Sequence, residues 1–266
     1  YMKILVTGYN GSLGKLVCSK FSNDHEIIKI NCRNINFDNN IEIKNFLKNF
    51  LNIDVVINCA ASLRPKSRND FFINEELPKF ISDYLELNNQ KCIFFHLSTI
   101  NVLISLRNDN YTKSKRKAEE KLKNSKTIIL RLPLIFKEKN DRIENFGNLS
   151  LFFKYLNFPL PFYPMIYPGH CYEPLNIKKF IAFLDQLIVN KKNDKLIFNI
   201  SGNKKKNLWE IFKEIADQKN KKIFKINVSK CMPTFLLKYF AESNSFLQQL
   251  VNIDNSKFEE KKHILE

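Results

Sequence analysis

Glycine is scarce in this 266-residue chain, with six in all, and there is a single tryptophan. No stretch approaches the length of uninterrupted apolar sequence that a bilayer-crossing helix needs, so no transmembrane helix is expected. The cysteines (Cys18, Cys32, Cys59, Cys92, Cys171 and Cys231) are scattered and never fall at C-x-x-C spacing. Three lie in strand-like runs, where cysteine behaves as a small hydrophobe. This pattern argues against a structural metal and points to a reduced, cytoplasmic protein. With Tyr1 set aside, the opening MKILVTG runs directly into a strand-like segment, so no signal peptide is expected. Acidic residues are outnumbered, 27 against 43 Lys and Arg, giving a formal net charge of +16. The basic residues are spread along the chain rather than gathered in one tract. Nucleic acid is therefore not the expected partner, and a basic surface suits a small substrate that carries phosphate.

What is present is alternation. KILVTG reads as a buried strand, followed by a helix from about Ser12 to Phe21. EIIKIN is a second strand and NINF a short third. IEIKNFLKNFL has helical spacing, IDVVINCA is a strand, Phe71–Leu87 a helix and KCIFFHLS a strand. Tyr111–Leu122 then reads as a helix and KTIILRLP as a strand. The strands are continuous apolar runs, as expected where helices cover both faces. The fold class is α/β, a Rossmann-type doubly wound parallel sheet with a small C-terminal substrate-binding lobe. The dinucleotide-binding domain spans 2–140, with later elements at about 170–200 returning to it, and 141–266 forms mainly the substrate lobe. That second part carries the proline-rich FPLPFYPMIYPGHCYEP, helices near Ile177–Val189 and Leu208–Gln218, the strands KLIFNIS and KIFKINV, and a helical tail.

Three of the six glycines fall in one window, Gly8, Gly11 and Gly14 in VTGYNGSLG, between a strand and a helix. That is the context of a dinucleotide-binding turn. Glycine permits close approach of backbone to a pyrophosphate, and the helix N-terminus offers free N–H groups to the anion. Asn10, Ser12 and Leu13 complete the turn. An NAD site places an acid at the tip of the second strand, and an NADP site a cation. Here KINCRN has no acid, and Arg33 follows at once, so NADP(H) is favoured and NAD(H) remains possible. Arg33 could equally be a solvated loop residue. Asp38, with Asn39 beside it, is placed to bond an adenine amino group or to cap the helix that follows.

These residues together resemble the short-chain dehydrogenase/reductase family. Its order of motifs is matched by T-G-x-x-G-x-x-G at Thr7–Gly14, NCAA at Asn58–Ala61, Ser98–Thr99 ending a strand, and Y-x-x-x-K at Tyr111 and Lys115. The link from KINCRN to IDVVINCAA and the segment FNISGNKKKNLWEIFKEIA resemble the extended branch, in particular the dTDP-4-dehydrorhamnose reductase group. The resemblance implies an NAD(P)-dependent oxidoreductase that reduces a keto group, at C4, of a nucleotide-activated deoxysugar in surface polysaccharide or deoxysugar synthesis. It makes Tyr111 the general acid, Lys115 the cation that lowers the tyrosine pKa and bonds the cofactor ribose, and Thr99 the hydroxyl that holds the carbonyl oxygen. Cys59, Ala60, Ala61 and Asn74 become cofactor neighbours, and Ser98 and His170 substrate contacts.

Other readings stand beside these. An epimerase or dehydratase would keep NAD bound through a turnover; against a dehydratase, Ile100 and not an acid follows Thr99. A dinucleotide-binding regulatory protein without chemistry is the other alternative. His96 is expected to be a satisfied core histidine. Lys204–Lys206 reads as a solvated turn or a diphosphate contact, and Phe158–Tyr167 as core packing or a pocket wall. Thr99 and Tyr111 are closer together than in most relatives, and the helix after Tyr111 is crowded with charge. Monomer and homodimer both stay open.

Overall fold

A computed structural model describes residues 1–33, 35–105, 107–190, 195–227 and 261–265. The first half runs β1 (Lys3–Thr7), α1 (Ser12–Phe21), β2 (Glu26–Ile30), α2 (Asn40–Lys48), β3 (Val55–Asn58), α3 (Arg68–Glu75), α4 (Leu77–Asn88), β4 (Ile93–Thr99), α5 (Asn110–Lys121) and β5 (Ile128–Leu132). It continues through β6 (Ile135–Phe136), β7 (Glu138–Lys139), β8 (Arg142–Ile143), α6 (Ser150–Leu156), β9 (Tyr163–Tyr167), β10 (Cys171–Tyr172) and β11 (Leu175–Asn176). Then come α7 (Ile177–Val189), β12 (Leu196–Gly202), β13 (Lys206–Asn207), α8 (Leu208–Gln218), β14 (Ile223–Asn227) and β15 (Lys262–Leu265).

The main sheet has the order β15-β12-β5-β4-β3-β1-β2. The pairs β1–β2, β1–β3, β3–β4 and β5–β12 are parallel. Every residue of β3, β4 and β5 is buried, which is why those strands are mostly apolar, with polar residues such as Asn58, His96 and Arg131 hydrogen-bonded inside. The chain reverses its direction of travel across the sheet at β1, between β2 and β3. In doubly wound sheets ligands are held at the carboxyl ends of the strands beside such a switch point. The Rossmann-type reading of the sequence is borne out.

Three expectations are corrected or fall outside the description. NINF is no strand in its described residues 35–37. The Asn36 side chain accepts from the Asp38 backbone N–H, its carbonyl accepts from Asn39, and the segment turns instead of extending. Ile35 and Phe37 still pack on the core, so the apolar alternation that looks like a strand is spent on burial. The helix read as Phe71–Leu87 is two helices that meet at Glu76, which ends α3 and begins α4. Pro78 forces this, because a proline has no N–H and is tolerated only in a first turn. Of the helical tail read after β14, residues 228–260 lie outside the described residues, and Lys262–Leu265 is the edge strand β15 rather than helix.

The chain divides into two compact units. One comprises Tyr1–Val102, Asn110–Arg131 and Ile181–Asn199; the other Leu103–Asp109, Leu132–Phe180 and Ile200–Glu266. The second unit is built from short pairs, β9 with β14 and β6 with β11 in parallel, β10 with β13 and β7 with β8 antiparallel. Its core joins Leu149, Leu156, Tyr163, Trp209 and Phe212. Asn207 and Glu210 form a reciprocal capping box that fixes the start of α8. Among the described residues no helix is long and apolar enough to cross a membrane.

Candidate active site

The turn between β1 and α1 is held by backbone contacts that leave no room for side chains. Gly8 has φ +66°, and a Cβ there would lie 2.6 Å from the Ala60 Cα. A Cβ on Gly14 would lie 2.4 Å from the Gly8 carbonyl oxygen. The Gly11 N–H donates to that same carbonyl at 3.0 Å. Helix α1 has Gly11 as its N-cap, no side-chain cap and no acid in its first turn. The amides of Ser12, Leu13 and Gly14 therefore have no intrahelical acceptor, as at the N-terminus of any helix, and nothing from α1 itself competes with an anion for them. Asn10, Gly11 and Ser12 are exposed and Leu13 half-buried. A glycine turn opening a helix with no side-chain cap and no acid in its first turn suits an anion such as the pyrophosphate of a dinucleotide.

The end of β2 lies against this turn. Burial pushes the Cys32 thiol up to about 12, with the Gly8 backbone opposing the shift. Arg33 follows, exposed, with its own N–H donated to Asn31 Oδ1 at 3.0 Å. Asp38 pairs with Arg68 at 3.1 Å on the surface. The cap of α2 is Asn39, whose Oδ1 accepts from the Ile41 and Glu42 N–H groups, so a capping role for Asp38 is corrected.

Behind the turn, Thr7 Oγ1 donates to Asn58 Oδ1 at 2.6 Å, and Asn58 Nδ2 donates to His96 Nδ1 at 3.0 Å. Because Nδ1 accepts, the ring hydrogen sits on Nε2, which has no partner among the described residues. His96 is fully buried, and burial followed by the nearby Lys115 charge holds its pKa well below 6.5, so the ring is neutral. It is a core histidine, satisfied on one nitrogen only. Cys59 is likewise held as a neutral thiol by burial. Ala60 is buried and Ala61 half-buried.

Helix α5 carries the pair read from the sequence. Lys115 is 1% exposed, and its Nζ donates to the Leu97 carbonyl at 2.9 Å, so the ammonium is anchored near the end of β4. Burial lowers its pKa from 10.5 to about 8, with Glu119 and then Cys59 opposing the shift. Tyr111 lies one turn earlier on the same helix and is half-buried. That first turn is tied to α3: Ser114 Oγ donates to the Tyr111 carbonyl at 2.7 Å and accepts from Asn74 Nδ2 at 3.0 Å. Asn74 also bonds both backbone groups of Ser62, donating to its carbonyl and accepting from its N–H. Its amide is thus a clasp between the β3 loop and α5. Thr99 ends β4, with Oγ1 accepting from the Asn101 N–H at 3.3 Å.

The buried Lys115 gives a pH prediction. Its folded pKa lies below its unfolded one, so the folded state binds fewer protons between about pH 8 and 10.5. Stability therefore rises with pH through that window and is lowest, with respect to this group, below it. Compared with Lys115→Met, the wild type should gain roughly 3 kcal/mol between neutral pH and pH 10. Paired denaturation curves check this, and a gap that does not change with pH would contradict it.

The two expected substrate contacts, Ser98 and His170, both have partners within the fold. Ser98 donates its hydroxyl to Glu119 Oε1, which ties β4 to α5. His170 is fully buried in the second unit, edge-on to the Tyr172 ring at 6.2 Å, with its carbonyl taking the Leu208 N–H. Lys206 pairs with Glu214 at 2.6 Å, while Lys204 is exposed. Tyr163, Met165 and Ile166 are core, and Phe158 and Phe162 are exposed.

One cluster escaped the sequence reading. Arg131 Nε and Nη2 donate to Glu119 Oε2 at 3.0 and 2.7 Å, and Nη1 donates to Asn199 Oδ1 at 3.1 Å. The available signal was an arginine inside the apolar strand IILRL.

No family model matches the chain, and no curated protein matches it in sequence. Solved structures do. A dTDP-4-dehydrorhamnose reductase ortholog from Clostridium acetobutylicum superposes with a TM-score of 0.70 at 16% identity, covering 95% of each chain. A dTDP-4-dehydrorhamnose reductase from Bacillus anthracis, in complex with NADP, gives 0.68 at 15% identity over 86% of this chain and 85% of that one. A dTDP-glucose 4,6-dehydratase from the same organism, in complex with NAD, gives 0.66 at 17% identity over 85% of each. The resemblance read from the motifs is thus borne out at the level of fold.

Proposed function

We propose that the chain is an NAD(P)H-dependent reductase of a nucleotide-activated keto-deoxysugar, acting at C4. The observation that carries this reading is the fully buried Lys115, fixed to the end of β4 one helical turn from Tyr111, in a fold whose first turn is a glycine cradle. A tyrosine with an ordinary pKa near 10 gives up its proton poorly at neutral pH. The Lys115 ammonium favours the phenolate and so makes Tyr111 a better acid. Thr99 orients the substrate oxygen by its hydroxyl, an oxyanion-type contact. The bound cofactor supplies the hydride. Tyr111 Oη donates the proton to the carbonyl oxygen. Asn74 acts through Ser114 and the Tyr111 backbone, as a positioning residue.

The cofactor proposed is NADP(H). The glycine turn, with Asn10, Ser12 and Leu13, takes the pyrophosphate; Cys59, Ala60 and Ala61 flank it; Asp38 and Asn39 lie toward the adenine end. Arg33 takes the 2′-phosphate. Fluorescence titration is expected to show tighter binding of NADPH than of NADH. Arg33→Ala should weaken NADPH by about ten- to a hundred-fold, the scale of a lost charge-assisted hydrogen bond, and leave NADH nearly unchanged. Equal losses for both would remove Arg33 from the site. NAD carried through purification in stoichiometric amount would favour the epimerase reading. The decisive assay is NADPH oxidation with a dTDP-4-keto-6-deoxysugar.

A further inference from the structure

Lys115 raises a question that the proton-transfer role does not answer: what keeps an ammonium charged in the interior? An isolated buried lysine tends to shed its proton. Leu97 offers a carbonyl, which is a dipole and not a charge. Helix α5 places Glu119 one turn beyond Lys115, on the same face. The Glu119 side chain is 9% exposed and that of Arg131 10% exposed. Its carboxylate is fixed from two strands: Ser98 on β4 donates to Oε1, and Arg131 on β5 donates twice to Oε2. Asn199 on β12 holds the remaining arm of the arginine.

We propose that Glu119, clamped by Ser98 and Arg131, is a positioning residue whose carboxylate is the counter-charge that keeps Lys115 protonated. This rests on the reading of Tyr111 and Lys115 as the proton-transfer pair. The cluster holds two cations and one anion. Without the anion, Arg131 loses its two bonds to Glu119, and the burial of Lys115 is opposed by no carboxylate on its own helix face. A guanidinium does not deprotonate in a protein, so the proton is lost from Lys115. Other groups facing Lys115 cannot take over. His96 on β4 is neutral, and Cys59 at the end of β3 is a buried thiol. On α3, Glu75 is paired with Lys117 at 3.4 Å.

The test follows the Lys115 Nζ titration by NMR on the full chain with labelled lysine, the signal assigned by its loss in Lys115→Met. In Glu119→Gln the midpoint should fall by about one unit or more, since a nearby opposite charge is removed. Keto-sugar reduction should lose its high-pH limb at correspondingly lower pH: about ten-fold slower near pH 8 and little changed near pH 6. Glu119→Asp, which keeps the charge, should restore the limb. An unmoved midpoint, or a loss of rate equal at all pH values, overturns the proposal and leaves the clamp as scaffold. If Glu119→Gln does not fold, Arg131→Met reads the same charge from the other side. Its carboxylate is then left to Lys115 and the midpoint should rise; a fall overturns the proposal. If no keto sugar is turned over by the wild type, the catalytic reading fails while the NMR midpoints still decide the role of Glu119.

Discussion

Tyr111→Phe is expected to lower kcat by about 10²–10⁴-fold, the usual worth of a positioned general acid. The ring is half-buried and its helix turn is held through backbone and neighbouring side chains, by Ser114 and Asn74, none of which the substitution touches. The melting temperature and the NADPH dissociation constant should therefore stay close to wild type. That separation is what identifies a proton donor. A structural tyrosine would lose stability along with rate, and a cofactor contact would lose affinity. Lys115→Met should fall by a similar factor without the fold collapsing, because removing a buried ammonium also removes its desolvation cost. Thr99→Val should lose less, about 10–10³-fold, since one hydroxyl near a developing oxyanion is removed while the acid remains. Measured as kcat and KM separately, the series should place the loss in kcat for Tyr111. If Tyr111→Phe retained wild-type turnover with a keto sugar, the proton-transfer reading would be wrong, and a dinucleotide-binding role without chemistry would gain ground.

How far the sequence reaches depends on how local the cause is. The boundaries of α1 are read correctly because a strand, three glycines and an amphipathic run are adjacent in the chain. The central strands are read correctly because two covered faces demand a predominantly apolar run, as in IFFHLST and IILRL. The glycine cradle is likewise local, and its spacing carries the argument. Failures arise where partners are distant in sequence. Ser98 and Thr99 are adjacent hydroxyls, and that Ser98 is taken up by Glu119 follows from the packing of α5 on β4, which is not visible in the pair itself. His170 follows Pro168 and Gly169, a loop signature, yet the ring is packed beside Tyr172 and its backbone is bonded to α8. In NINF the apolar alternation is genuine, but the asparagine between offers its own side chain to the backbone and makes a turn cheaper than a strand. The Glu119–Arg131 clamp joins a helix to a strand and on to Asn199, a triple contact that only the fold assembles.

Gly14→Ala should abolish dinucleotide binding, with affinity reduced at least about 100-fold and the fold destabilised by about 1–3 kcal/mol from overpacking. The new methyl carbon would lie 2.4 Å from the Gly8 carbonyl oxygen and 2.9 Å from the Tyr9 Cα. Both are backbone atoms, so no side chain can swing away; the first turn of α1 must lift from the β1 turn. The amides of Ser12, Leu13 and Gly14 would then lose their common aim, which is what an anion at a helix N-terminus requires. Gly8→Ala meets the Ala60 backbone at 2.6 Å and has φ +66° against it as well, so its loss should be comparable. Gly11 has one contact only, 3.3 Å from the Gly8 carbonyl, and Gly11→Ala should cost less. Gly147 is the control. It too has positive φ, +54°, but nothing lies within 4 Å of its Cβ position. Gly147→Ala should therefore pay about 1 kcal/mol of backbone strain and bind NADPH like wild type. The graded order separates two meanings of a glycine: a conformation that any residue could adopt at a small cost, and a contact distance that none but glycine permits. Gly14→Ala binding NADPH as tightly as Gly147→Ala would show that the cradle does not hold the pyrophosphate.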